Sequence, residues 1–385
     1  MAMEREAMSA WPAAPQPLAG CRVLDLTTLL PGPWATSQLA AFGAEVIKIE
    51  PPGGDPVRTM NPAFFGVLHR GKQSVVLDLR EPAGREALLE LAAQADVLIE
   101  GMRPGVLARQ GLDVATLHAA NPRLVVCSMS AFGWTGPYRD RGGHDLGLLA
   151  MAGYFAIPSQ LDGATTRPQV RLADLVAGQT AAFAVVMAWL QARATGQGSH
   201  VDASLFDATC AWTAPALLTT PPFDRPAELG LVMADSALYR TADGRQLAVA
   251  TLEDKFWRGL VQAAADVAPE LGAAAWATRR GRDADKRALA AALARAIAQL
   301  PLADWQQRLA AVDTTVETVW NREEALVDPQ LLARGLVLRD GGDGAGPALR
   351  YPAFFDGVAP AVLGPAPALD EHRAAWLPMA DKHND

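Results

Sequence analysis

His144 stands between Gly143 and Asp145, and Asp174 follows thirty residues later. Glu253 lies in the segment TLEDKF. These are residue types that move protons or attack carbonyl carbon. An imidazole titrates near neutrality, a carboxylate becomes more basic on burial, and a second carboxylate can fix the imidazole's tautomer. Each also has a plainer role. His144 fits a polar residue in a glycine-rich loop, Asp174 a helix cap, and Glu253 an acid favoured by the helix dipole in a first turn. Residue type alone does not choose between these roles.

Other chemistries are poorly served. Glu50 ends the second predicted strand, where a ribose-binding acid would sit. The preceding turn, however, offers Gly32 alone between Pro31 and Pro33, and the prolines remove amides that a pyrophosphate would use. No nucleotide-binding P-loop, nucleophile elbow or HExxH motif occurs. His69, His118, His144, His200, His372 and His383 form no pair with metal-ligand spacing, so no metal is expected. Cys21, Cys127 and Cys210 are widely separated and odd in number, which argues for reduced thiols rather than a disulfide framework.

The elements that must position these residues alternate. Arg22–Leu26 reads as a strand, Pro31–Pro33 as a turn, Trp34–Phe42 as a helix closed by Gly43, and Ala44–Ile49 as a second strand. The alternation recurs: strands over Ser74–Leu79, Val97–Glu100 and Leu124–Ser130, helices over Pro82–Ala95 and Gly105–Ala120. This predicts an α/β fold with a mainly parallel, Rossmann-like sheet. A glycine-rich loop runs from Phe132 to Asp145, and a long apolar helix from Asp174 to Ala194. Pro215–Arg225 reads as a linker. Strands at Ala237–Thr241 and Gln246–Thr251, joined by Ala242-Asp243-Gly244, open a smaller α+β domain. The expected organisation is a loose tail over 1–17, a large domain over 18–214, a linker over 215–233, a small domain over 234–318 and a return to the large domain over 319–385.

Composition sets the outer bounds. Of 385 residues, 50 % are hydrophobic and 20 % charged, a globular balance. Lys and Arg number 34 against 42 Asp and Glu, so the net charge of −8 argues against general nucleic-acid binding while leaving room for one local basic site. The first seventeen residues lack the apolar core of a secretory signal, and no uninterrupted apolar run is long enough to span a membrane. The expectation is a cytoplasmic enzyme without membrane contact.

Several blocks then become specific together: DLTTLLPGPWATSQLAAFGAEVIKIEPPGGD, HRGKQSVVLDLR, ADVLIEGMRPGVLARQGLD, GGHDLGLLAMAG, LADLVAGQTAA and GQGSHVDASLFD. In this order they resemble the class III CoA-transferase and α-methylacyl-CoA racemase superfamily (CaiB/BaiF) over residues 18–378. The resemblance implies an acyl-CoA ligand, no separate cofactor, and two chains threaded through each other as an interlocked homodimer. Its racemases use a His in a Gly-His-Asp motif, matching His144, an Asp matching Asp174, and a supporting Glu matching Glu253. Its transferases use an Asp nucleophile, again matching Asp174. The Pro31-Gly32-Pro33 turn looks racemase-like, and Leu30 stands where the compared transferases often carry Gln. His69 replaces a usual Asn, and Gln179 falls where glycines are common.

The leading expectation is therefore an epimerase that interconverts (R)- and (S)-2-methylacyl-CoA. His144 and Asp174 would exchange the α-proton through an enolate, with amides at the start of the Asp174 helix stabilising the oxyanion. The alternative is a CoA transferase that forms an anhydride on Asp174. A catalytically silent CoA- or dinucleotide-binding protein is the third. By resemblance, the CoA contacts are Arg58, Leu77, Arg80, Gly101, Met102, Arg103, Arg109, Gly143, Asp145 and Leu148, with Lys72 a weaker candidate. The arginines suit phosphate through their planar fork.

Overall fold

The computed structural model describes residues 14–157, 159, 161, 164–219, 232–339 and 346–377. The chain forms two compact units. The first comprises Met1–Ala152, Gln169–Thr213 and Pro329–Asp385; the second comprises Gly153–Pro168 and Ala214–Asp328.

Six strands build the first unit's sheet: β1 Arg22–Leu26, β2 Glu45–Glu50, β3 Gln73–Val76, β4 Val97–Glu100, β5 Val125–Ser130 and β6 His200–Ser204. Their order is β3-β2-β1-β4-β5-β6, and every neighbouring pair is parallel. A parallel sheet is covered on both faces, which is why β4 and β5 are buried along their whole length. Its core holds Leu24, Ile47, Val75, Leu88, Leu98 and Val126.

Four helices matter for the site. They are α1 Pro31–Ala41, α2 Asp145–Met151, α3 Leu172–Thr195 and α4 Leu205–Thr219. The Pro31–Pro33 segment, expected to be a turn, is the start of α1, with proline in its first turn. There the missing N–H costs no helical hydrogen bond. Gly178 of α3 lies against this start: a Cβ there would fall 2.4 Å from the Pro31 carbonyl oxygen. Only a residue without a side chain lets the two helices approach so closely. Pro215 lies inside α4, so its first stretch to Thr219 is not linker; residues 220–231 of the expected linker fall outside the described residues, as do 1–13 of the expected tail. Strand β6 and helix α4 were not anticipated.

The return segment reaches the free edge of the sheet. The Val76 amide donates to Asp370 Oδ1 at 2.7 Å, and the His372 amide to the Ser74 carbonyl at 3.0 Å. Arg373 donates to the Val76 carbonyl at 2.7 Å. The return begins at Pro329, later than the expected 319.

In the second unit, β7 Ser236–Arg240, β8 Gln246–Ala250 and β9 Val316–Thr318 form an antiparallel sheet in that order. It packs on helices α5 Asp254–Ala263, α6 Lys286–Ile297 and α7 Leu302–Leu309 around Trp257 and Trp305. This unit also takes residues 153–168, which the sequence reading left in the large domain.

Candidate active site

The strand order reverses between β1 and β4, and a cleft of about 690 Å³ opens there over the carboxyl ends of the strands. Open α/β sheets bind ligands at such reversals because the loops diverge to either side. Thr27 to Gly32 follow β1, Gly101 to Pro104 follow β4, and Met129 to Phe132 end β5. Arg141 to His144, Met151 and Asp174 complete the wall.

Asp174 lies in the first turn of α3 and is partly buried. It caps nothing: among the described residues it accepts no hydrogen bond, and the N-cap position belongs to Arg171. The capping work is done by Asp145, whose Oδ1 accepts the Ala173 amide at 2.8 Å. Asp145 Oδ2 is buried without a hydrogen-bond partner. Burial pushes the Asp174 carboxyl up to about 6, and the Asp145 charge adds to this, while His144 and Arg171 act in the opposite direction. A carboxylate of that basicity is still about nine-tenths ionised at pH 7, so it is both available and more nucleophilic than an exposed one.

The Gly-His-Asp motif therefore splits. His144 is exposed and lines the cleft, whereas Asp145 turns inward to hold α3. Because Asp145 already occupies the Ala173 amide, that amide is not free to stabilise an oxyanion. Gly101, Met102, Arg103 and Gly143 also line the cleft. Gly142 leaves room for Arg103, since a Cβ there would meet its guanidinium at 2.9 Å. Arg141 lies over the Tyr138 ring at 4.6 Å. Neither Arg103 nor Arg141 has a carboxylate partner among the described residues, so two uncommitted cations face the cleft of an acidic protein.

Other expected contacts lie elsewhere. Arg58 commits its guanidinium to Glu50 at 2.7 and 2.8 Å and to the Pro367 carbonyl. Arg80 pairs with Asp78 two residues away. Leu77 and Leu148 are buried core residues. Arg109 does not line the cleft; its guanidinium lies 3.6 Å from where a Cβ on Gly105 would sit. Glu253 belongs to the second unit, exposed at the N-cap position of α5 without a capping hydrogen bond.

Sequence reasoning passed over Thr27, Leu29, Ser130 and Arg141. All but Arg141 stand at or just past a strand's carboxyl end, the signal that would have found them. Leu29 adopts a left-handed backbone, with φ of 66°. Beneath it, Asp25 accepts the Thr27 amide and hydroxyl and the Thr36 hydroxyl, and pairs with Lys72 at 3.1 Å. Lys72 also donates to the Pro33 carbonyl, so it braces the α1 start from below rather than reaching a ligand. Burial opposes ionisation of Asp25, but Lys72 and Lys48 outweigh it and hold the carboxyl well below the usual range.

The sequence profile of CoA-transferase family III matches residues 18–373. Succinate–glutarate CoA-transferase of Agrobacterium fabrum is 34 % identical over 96 % of this chain and 97 % of its own length. Acetyl-CoA:oxalate CoA-transferase of Acetobacter aceti is 34 % identical over 94 % and 96 %. The crystal structure of a CAIB/BAIF family protein from Brucella suis superposes with a TM-score of 0.81 at 30 % identity, covering 94 % of this chain and 98 % of that one.

Proposed function

The chain belongs to CoA-transferase family III, and from that premise we propose that it moves coenzyme A between carboxylic acids with Asp174 as nucleophile. The observation that carries this reading is the state of Asp174: a carboxylate in the cleft wall, raised in basicity and accepting no hydrogen bond among the described residues.

The Asp174 carboxylate adds to the thioester carbonyl of the donor acyl-CoA. The C–S bond breaks, giving a mixed anhydride and CoA thiolate. The thiolate then attacks the Asp174 carbonyl of the anhydride and releases the donor acid as its carboxylate. The aspartyl-CoA thioester so formed is attacked by the acceptor carboxylate, giving a second anhydride and thiolate. Thiolate attack on the acceptor carbonyl yields the new acyl-CoA and restores Asp174. No net proton is taken up. Arg103 and Arg141 supply positive charge for CoA phosphates or an incoming carboxylate, and His144 a donor for the developing oxyanion.

The names of the two curated relatives support transfer over two-base epimerisation, which was the leading sequence expectation. We further propose that the enzyme works as an interlocked homodimer. Phe183, Met187 and Leu190 recur along one face of α3 and are 66, 45 and 49 % exposed, an apolar stripe suited to a second chain.

The test uses succinyl-CoA or acetyl-CoA with succinate, glutarate and oxalate as acceptors. Formation of the new acyl-CoA, and a hydroxamate on Asp174 when hydroxylamine is added, are the expected results. Exchange of an α-proton in D2O without any adduct on Asp174 would overturn the transferase reading in favour of the epimerase.

A further inference from the structure

Two neighbouring strands end in the same device. On β1, Asp25 Oδ1 accepts the Thr27 amide at 3.0 Å; on β4, Glu100 Oε2 accepts the Met102 amide at 2.7 Å. Both carboxylates are buried, at 0 and 3 % exposure, and both hold the residue two positions on, which lines the cleft. The loops on either side of the strand reversal are thus each tied to a buried carboxylate.

Their surroundings differ. Asp25 is paired with Lys72, whereas Glu100 has no cation bonded to it among the described residues. Ser128 stands at the paired position on β5, and its hydroxyl partly offsets the effect of burial on the Glu100 carboxyl. Ser128 Oγ also lies 3.0 Å from His200 Nε2 on β6. The His200 ring meets the Trp134 ring edge-on at 4.6 Å, so the line of contacts runs from the loop after β4 to the loop after β5. Arg103 borders both the main cleft and a small cavity whose wall includes Glu100. A neutral side chain would satisfy the Met102 amide without burying a carboxylate, so hydrogen-bond satisfaction alone does not account for the acid.

We propose that Glu100 is a positioning residue for the transfer reaction: through the Met102 amide it sets the Gly101–Arg103 loop in the conformation that receives acyl-CoA. This rests on the transferase reading of the same cleft.

Steady-state transfer kinetics on the full chain test it. Burial raises the Glu100 carboxyl to about 7, so the comparison is made at pH 8.5, where Glu100→Gln keeps the shape and weakens the charge-assisted hold: KM for acyl-CoA should rise about tenfold, with kcat changed by less than about threefold. Glu100→Asp can form the same bond two residues on, as Asp25 does, and should restore KM. A merely structural carboxylate would lower thermal stability without this split between KM and kcat. Unchanged KM in Glu100→Gln, or no rescue by Glu100→Asp, would overturn the proposal. Should Glu100→Gln not fold, Ser128→Ala takes its place: about a threefold rise in KM is expected, and no rise refutes the role. If the wild type moves no CoA, the transferase reading is what fails. CoA affinity of the same variants, measured by calorimetry, then judges the loop separately, with equal affinities counting against Glu100.

Discussion

In the folded chain the Asp174 carboxyl is pushed up to about 6, first by burial and then by the Asp145 charge. In the unfolded chain an aspartate titrates near ~3.9. Below about pH 4 both states hold the proton, and the site costs nothing. Between about pH 4 and 6 the unfolded state loses its proton while the folded state keeps it, so stability falls as pH rises. Above about pH 6 the full cost is present. Two powers of ten in proton affinity, at 1.36 kcal/mol each, place that cost at up to about 3 kcal/mol. Asp174→Asn removes the charge and keeps the shape. It should therefore stabilise the protein above pH 6 by about 1–3 kcal/mol, raising Tm by roughly 1–2 °C per kcal/mol. The same change should lower transfer activity by about 10³-fold or more. Thermal melts of both proteins without ligand, from pH 4 to pH 8, check this. The two curves should meet at the acid end and separate above pH 6. An Asn variant that melts lower than the wild type at pH 7.5, or a gap that does not vary with pH, would refute the account of Asp174 as a charge held at a cost to the fold.

Two further outcomes are expected. Asp145→Asn can still accept the Ala173 amide but loses the charge that raises Asp174, so the acid limb of the kcat/KM profile should move to lower pH; a limb that stays in place would show that burial alone sets Asp174. Phe183→Glu on the exposed face of α3 should break the proposed dimer, giving a lower mass by light scattering or insoluble protein, whereas an unchanged dimer would place the interface elsewhere.

The parallel sheet was legible because its strands are buried on both faces and read as short apolar runs such as VLIE and VVCSMS. Strand β6, HVDAS, carries three polar side chains and is mostly part-exposed, so no such run marks it. Helix α4 was not legible because Pro215 signals a linker, whereas the structure accommodates that proline inside the helix. The PGP segment shows the converse: proline is a breaker within a helix but a starter at its first turn. Asp174 and His144 were found through block order rather than residue type, and their separation from Asp145 became visible only with the 2.8 Å bond to Ala173. Arg58 and Arg80 fit phosphate ligands by type, yet each is satisfied by a nearby carboxylate, a commitment that spacing does not reveal.

The tie between β3 and the return segment has a consequence for synthesis. Val76 and its acceptor Asp370 are 294 positions apart. At roughly 5–20 residues per second, ribosomal synthesis of that interval takes about 15–60 s. Throughout it the outer edge of β3, with the Ser74 carbonyl and Val76 amide, lacks the segment that will cover it. An uncovered strand edge is a template for pairing with another chain. The second unit, made within that interval, has its own three-stranded sheet and core and does not depend on this last step. The nascent polypeptide thus carries this edge uncovered throughout the interval, and Asp370, His372 and Arg373 of the return segment act as its seal.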